Sequence, residues 1–119
     1  MSERHTLIHR SDIEHAGNWR LVRRSLGLTA FGMNLVEIPA GEQIPEHDET
    51  RRDQEEVFVV LEGDSEVVID GVAHPAPAGT FARVDPEATR TVRNRGTGTV
   101  TVLIVSAPRG SGYEPMEWA

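Results

Sequence analysis

VFVVLEGDSEVVIDGVAHPAPAGTFARV, residues 57–84, decides the fold. VFVVL (57–61) is a run of β-branched and aromatic residues whose length suits a buried strand rather than a helix. Glu62-Gly63-Asp64 has turn chemistry. SEVVI (65–69) is the next strand, and Asp70-Gly71 marks a two-residue hairpin. VAHP (72–75) is the returning arm, Pro77-Ala78-Gly79 turns the chain, and TFARV (80–84) is a further strand. Turn signals stand at every junction and leave no room for a helix.

The same rhythm continues outward. FGMNLVEI (31–38) precedes the stretch and is ended by Pro39-Ala40-Gly41. Downstream, residues 85–88 form a loop, TRTVRN (89–94) a strand, residues 95–98 a turn, and TVTVLIV (99–105) the last clear strand. WRLVRRSLG, from Trp19, shows partial β alternation. Residues 1–18 carry one weak helix signal, Ser11 and Glu14 at capping-box spacing, ended by Gly17-Asn18. The tail SAPRGSGYEPMEWA reads as loop, with Trp118 as its anchor. Eight or more short strands predict an all-β single domain with little helix: a sandwich, jelly roll or small barrel. Barrels of this kind often hold one small ligand. Residues 1–30 are expected to form an N-terminal arm, 31–105 the barrel, and 106–119 a tail packing on it.

Composition narrows the function. The 119 residues fit one domain, and the absence of cysteine excludes disulfides and thiolate metal sites. Nineteen acidic residues against twelve basic ones give a net charge of −7. The positive charge is carried by arginine in short pairs, Arg23-Arg24 and Arg51-Arg52, without the basic face a nucleic-acid binder shows. No apolar run approaches the ~20 residues of a membrane span, and the polar N-terminus is not a signal peptide. The expectation is a cytoplasmic protein without nucleic-acid or membrane partners.

GEQIPEHDETRRDQEEVFVVLEG (41–63) carries the chemistry. If Glu56 points inward, so do Phe58 and Val60, and His47 and Glu49 share a face by the same two-residue period. An imidazole and two carboxylates then meet inside, a set that suits Zn, Mn, Fe, Ni or Co. The competing reading is a solvated, charged loop. Phe58, Phe81 and Met33 suit the core, although inward aromatics also line ligand cavities. Arg83 shares parity with Phe81 and would line the same cavity. His74 reads as surface, and His5, His9 and His15 as solvated.

The spacing resembles that of the cupin family, small barrels of the jelly-roll type. Gly41, five residues and His47 are similar to the opening of its first motif, G-x5-H-x-H, and Glu56, six residues and Gly63 to its close, E-x6-G. Gly71, five residues and Pro77-Ala78-Gly79 are similar to the opening of the second motif. PEATRTVRN (86–94) aligns with that motif's end, where Asn94 matches. The resemblance spans about residues 31–105. It departs at three places: Glu49 stands where the first motif has its second histidine, Arg90 stands where the second motif has its histidine, and the spacer before Glu56 is two or three residues longer than usual. The resemblance implies His47, Glu49 and Glu56 as the remaining metal ligands, since guanidinium has no acceptor. Arg90 has two further readings: it replaces the metal charge against Glu49 and Glu56, or it clamps an anionic ligand.

Three functions follow. One is a small-molecule-binding cupin of unassigned substrate, with a degenerate metal site and Arg90, Phe58, Phe81 and Arg83 around the ligand. Another is a metal-dependent enzyme of the dioxygenase, isomerase or epimerase type using His47, Glu49 and Glu56. The last is a structural dimerisation module. The implied cofactor is a divalent metal (Zn, Mn, Fe or Ni), and the implied partners are a small, anionic molecule and a second copy of the chain.

Overall fold

Alternation along the longest strands sets the architecture. The computed structural model describes residues 4–119. One sheet has the order β1-β2-β3-β9-β4-β7 and the other β6-β5-β8, both antiparallel. The strands are β1 (His15–Ala16), β2 (Trp19–Arg20), β3 (Gly32–Ile38), β4 (Gln54–Glu62), β5 (Asp64–Ile69), β6 (Val72–Pro77), β7 (Phe81–Val84), β8 (Arg90–Asn94) and β9 (Val100–Pro108). The seven strands expected from residue 31 onward are all present, and β9 runs three residues past its expected end.

The two sheets share one core. Val36, Ile38, Phe58, Val60, Val102 and Ile104 from the first meet Val67, Ala76 and Val92 from the second. The rungs are layered along the barrel. Ile38 pairs with Val100 at one end, then Val36 with Val102 and Val102 with Val60, then Asn34 with Ile104 and Ile104 with Phe58. The last inward rung joins Gly32, Ser106, Glu56 and Val84. One end is therefore closed by branched aliphatics, and the other opens among polar side chains.

Turns fix the register. Asp70 and Gly71 have φ of 49° and 79°, the left-handed pair that a two-residue hairpin needs, and Ile69 pairs with Val72 across it. Gly63 lies at φ 91°, and a Cβ there would stand 2.7 Å from the Thr99 carbonyl oxygen, so only glycine fits. Leu61 is extruded by a bulge, since Val60 pairs with Val102 and Glu62 with Thr101. Asn94 closes the far end of the barrel. Its Nδ2 donates to the Ile38 and Gly98 carbonyls, and its Oδ1 accepts from Gly96 N.

The first 30 residues differ from the expected β pattern. Within the stretch from Trp19 only Trp19–Arg20 is strand, and it extends the barrel's own sheet by pairing with β3 on one side and with β1 on the other. VRRSL forms a five-residue helix, α1 (Val22–Leu26), ended by Gly27 at φ 70°. Val22 packs with Ile13 and Leu35 in a second, smaller cluster on the outer side of β3. The arginine pair breaks the alternation because it belongs to a helical face. The capping signal at Ser11 becomes one 3₁₀ turn, Arg10–Asp12. Trp118, expected to anchor the tail, is 83% exposed. No described helix is long and apolar enough to cross a membrane.

Candidate metal centre

The site is assembled by a strand and a loop that imitates one. Segment 42–47 runs antiparallel along β8: Ile44 N donates to Val92 O, and His47 and Arg90 exchange both backbone hydrogen bonds. This delivers His47 to the barrel mouth. The chain then makes a 3₁₀ turn (Thr50–Arg52) closed by Asp53 at φ 52°, and β4 brings in Glu56. That turn absorbs the long spacer, so Glu49 and Glu56 still arrive on the same side.

His47, Glu49 and Glu56 each place one ligand atom within 4.8 Å of the others. His47 Nδ1 lies 2.8 Å from the Pro45 carbonyl oxygen, which can only accept, so Nδ1 carries a proton. Nε2 then faces Glu49 Oε1 at 3.3 Å and Glu56 Oε1 at 3.8 Å. Three such atoms converging on one point would be held together by a cation between them or by a proton on Nε2. Ligands about 2.1 Å from a metal stand roughly 3.0–3.4 Å apart, a spacing that the 3.3 Å pair meets and the 3.8 Å pair exceeds. The bond from Nδ1 to a backbone carbonyl is also the usual way a metal-bound imidazole is oriented. The residues present therefore fit a divalent metal, with His47 Nε2 and the two carboxylates as its ligands.

Arg90 lies beneath this cluster. It is fully buried, and its Nη2 donates to Asp85 O at 2.9 Å and Val84 O at 3.3 Å. Its Nε is 3.4 Å from Glu56 Oε1, near enough to pair in charge but not aligned as a hydrogen bond. Burial pushes the Glu56 carboxyl above its ordinary value, with Arg90 opposing that shift and Glu49 adding to it. Glu56 Oε1 has no hydrogen-bond partner among the described residues. Arg90 offsets part of the charge and leaves this oxygen free for a further cation.

The cavity above the cluster has a volume of about 200 Å³. Phe58 and Ile104 form its apolar wall, Trp19 stands at its side, and Asn34 and Ser106 contribute polar atoms. Of the ligand-binding expectations, Phe58 is in place. Phe81 and Arg83 do share a face, but it is the outer one: they pair with Val59 and Val57, whose neighbours Phe58 and Glu56 point inward. Phe81 is 74% exposed, and Arg83 pairs with Glu55 and Asp85. The placement inside the barrel is thus overturned by strand parity. Arg90 does not line the cavity, so it holds a carboxylate of the protein rather than clamping a ligand. Asn34, Ser106, Trp19 and Gly32 are the lining residues missed in the sequence. For the first two the signal was present, because each is the polar member of an inward set, Asn34 with Val36 and Ile38, and Ser106 with Ile104 and Val102.

The model of the cupin family described as "Cupin domain" matches residues 34–106. A search of the curated proteins finds no match. Among solved structures, a cupin protein from Bacteroides fragilis is similar with a TM-score of 0.81 and 20% identity, over 98% of this chain and 94% of that one. A predicted oxalate decarboxylase from Thermotoga maritima has a TM-score of 0.73 and 17% identity, over 87% and 99%. A sugar phosphate isomerase of the cupin superfamily from Silicibacter pomeroyi has a TM-score of 0.72 and 21% identity, over 86% and 75%.

Proposed function

Because the chain belongs to the cupin family, we propose that it binds a small molecule in the barrel mouth, at a divalent metal held by His47, Glu49 and Glu56. The observation that carries this reading is the convergence of His47 Nε2 on two carboxylate oxygens while Nδ1 is committed to Pro45. A metal there supplies Lewis acidity to an oxygen of the bound molecule. The chain's own residues do the rest. Pro45 O fixes the imidazole plane, and Arg90 steadies Glu56 from below. Asn34 and Ser106 offer hydrogen bonds to the ligand, and Phe58 and Ile104 keep that wall dry. The cavity is smaller than the roughly 300–1,000 Å³ of drug-sized pockets, which favours a compact ligand. Two similar structures bear names denoting work on oxalate and on a sugar phosphate, both small anions. At 17% and 21% identity they bring only the fold to this chain.

A second reading has its own observation. The buried Arg90 beside Glu56 is a built-in cation, and it supports a metal-free binding barrel. Calorimetric titration of tag-free, chelator-stripped protein with Zn²⁺, Mn²⁺, Fe²⁺ and Ni²⁺ separates the two. Our proposal predicts one saturable site for at least one of these metals. In His47→Ala the loss should be at least as large as the roughly 10–100-fold that removing a hydrogen-bond partner of a metal ligand causes. No saturable binding of any of the four selects the metal-free reading.

A further inference from the structure

Arginines in this chain are mostly spoken for. Among the described residues eight of the twelve, Arg10, Arg20, Arg24, Arg83, Arg90, Arg93, Arg95 and Arg109, pair with a carboxylate. That is what 19 acidic residues in a chain of charge −7 lead one to expect. Arg23 and Arg52 have no carboxylate partner among the described residues, and both line one vestibule of about 420 Å³. The vestibule shares Gly32, Asn34, Glu49, Glu56 and Ser106 with the inner cavity, so the two are continuous.

Both arginines stand on irregular elements. Arg23 sits on α1, and Gly27 turns the chain so that Leu28 O accepts from Arg23 Nη1 at 3.4 Å, leaving the other guanidinium donors free. Arg52 sits on the 3₁₀ turn that fills the long spacer between Glu49 and Glu56. Gln54 adds an amide to the same wall. Charge is therefore graded along the cavity, with the carboxylates of Glu49 and Glu56 at its inner end and guanidinium groups at its outer end.

We infer that Arg23 and Arg52 form an anion-recognising subsite at the outer end of the cavity, so that the molecule bound there carries a carboxylate or phosphate directed away from Glu49 and Glu56. This inference rests on the reading of the barrel mouth as a small-molecule site and names the ligand's chemical class. A guanidinium fork matches either oxyanion through two hydrogen bonds. Without a metal the acidic inner end disfavours an anionic group beside it, which together with the arginines fixes the orientation of an asymmetric molecule.

The test follows the arginine Nε–Hε signals by NMR in the tag-free full-length chain, titrated at constant ionic strength with inorganic phosphate and, separately, malonate. Arg51→Gln is the control, since Arg51 is exposed beside Arg52, has no carboxylate partner among the described residues and does not line the vestibule. We expect saturable shifts at Arg23 and Arg52 with at least one anion. Arg23→Gln and Arg52→Gln should each weaken binding about five- to tenfold, and Arg51→Gln less than about twofold. Saturation by phosphate alone assigns a phosphoryl group to the ligand, and by malonate alone a carboxylate. Absence of saturable shifts with both anions overturns the inference, as does an equal loss in Arg51→Gln. In Glu56→Gln the anion response should persist although metal affinity falls, so failure of the subsite and failure of the metal centre are read separately.

Discussion

Along β4 and β9 the rungs Val60–Val102 and Glu56–Ser106 face the same interior, four residues apart on each strand, yet one is dry and the other lines a cavity. At the closed end the inward positions of β3, β4 and β9 are branched aliphatics, and stability comes from excluded water. At the mouth the same positions carry Glu56, Ser106, Asn34 and Gly32. A hydrophobic core cannot tolerate such groups without partners. The mouth therefore spends packing on Arg90 and on an open cavity, and it keeps a carboxylate oxygen unpaired. A barrel can be stable at one end and reactive at the other because strand pairing is continuous while side-chain chemistry is not.

The largest effect should come from the boundary between the two ends. Phe58 is 1% exposed, and Phe58→Ala should destabilise the fold by about 3–5 kcal/mol in denaturant unfolding. An effect under about 1 kcal/mol would mean that the cavity already reaches the core. Next comes Arg90→Met, which leaves Glu56 without its buried counter-charge. Breaking such pairs costs about 3–5 kcal/mol, and the lower end applies here because Glu56 can take up a proton. Adding Glu56→Gln should recover much of the loss in a double-mutant cycle; simple additivity would show that the two do not interact. Asn94→Ala should cost about 2 kcal/mol at the closed end, since two carbonyls and one N–H lose their partner.

The smallest effect is a pH slope. The Glu56 carboxyl is raised above its ordinary 4.5, mainly by burial. It binds a proton more readily folded than unfolded, so its ionisation costs stability. In metal-free protein that contribution should decline as pH rises from about 4.5 through the folded-state value, and Glu56→Gln should flatten the slope. Urea midpoints measured across that range check it; an unchanged slope in the variant removes Glu56 as the source.

Fold legibility followed the strength of local signals. β5 and β6 were readable because β-branched runs flank Asp70-Gly71, and β4 because VFVVL admits little else. α1 was not readable: in RLVRRSLG an outward helical face and a strand's polar face look alike over five residues, and tertiary packing of Val22 on Leu35 decided between them. The ligand atoms of His47, Glu49 and Glu56 converge, although a 3₁₀ turn rather than strand parity carries the chain from Glu49 to β4. Phe81 and Arg83 were misplaced because parity says which residues share a face, not which face it is. Pairing with Val59 and Val57 supplies that information, and it is not local. Arg23 and Arg52 were visible only as members of charged pairs, since their shared vestibule is made by chain segments 29 positions apart.

Metal content tests the central claim most directly. The protein would be purified without an affinity tag, and bound metals counted by mass spectrometry for the native chain and for Glu56→Gln. Our account predicts about one divalent metal per native chain and a clear fall in the variant. A native chain without metal, even after exposure to Zn²⁺, Mn²⁺, Fe²⁺ and Ni²⁺, would contradict it and leave Arg90 as the buried cation that Glu56 faces.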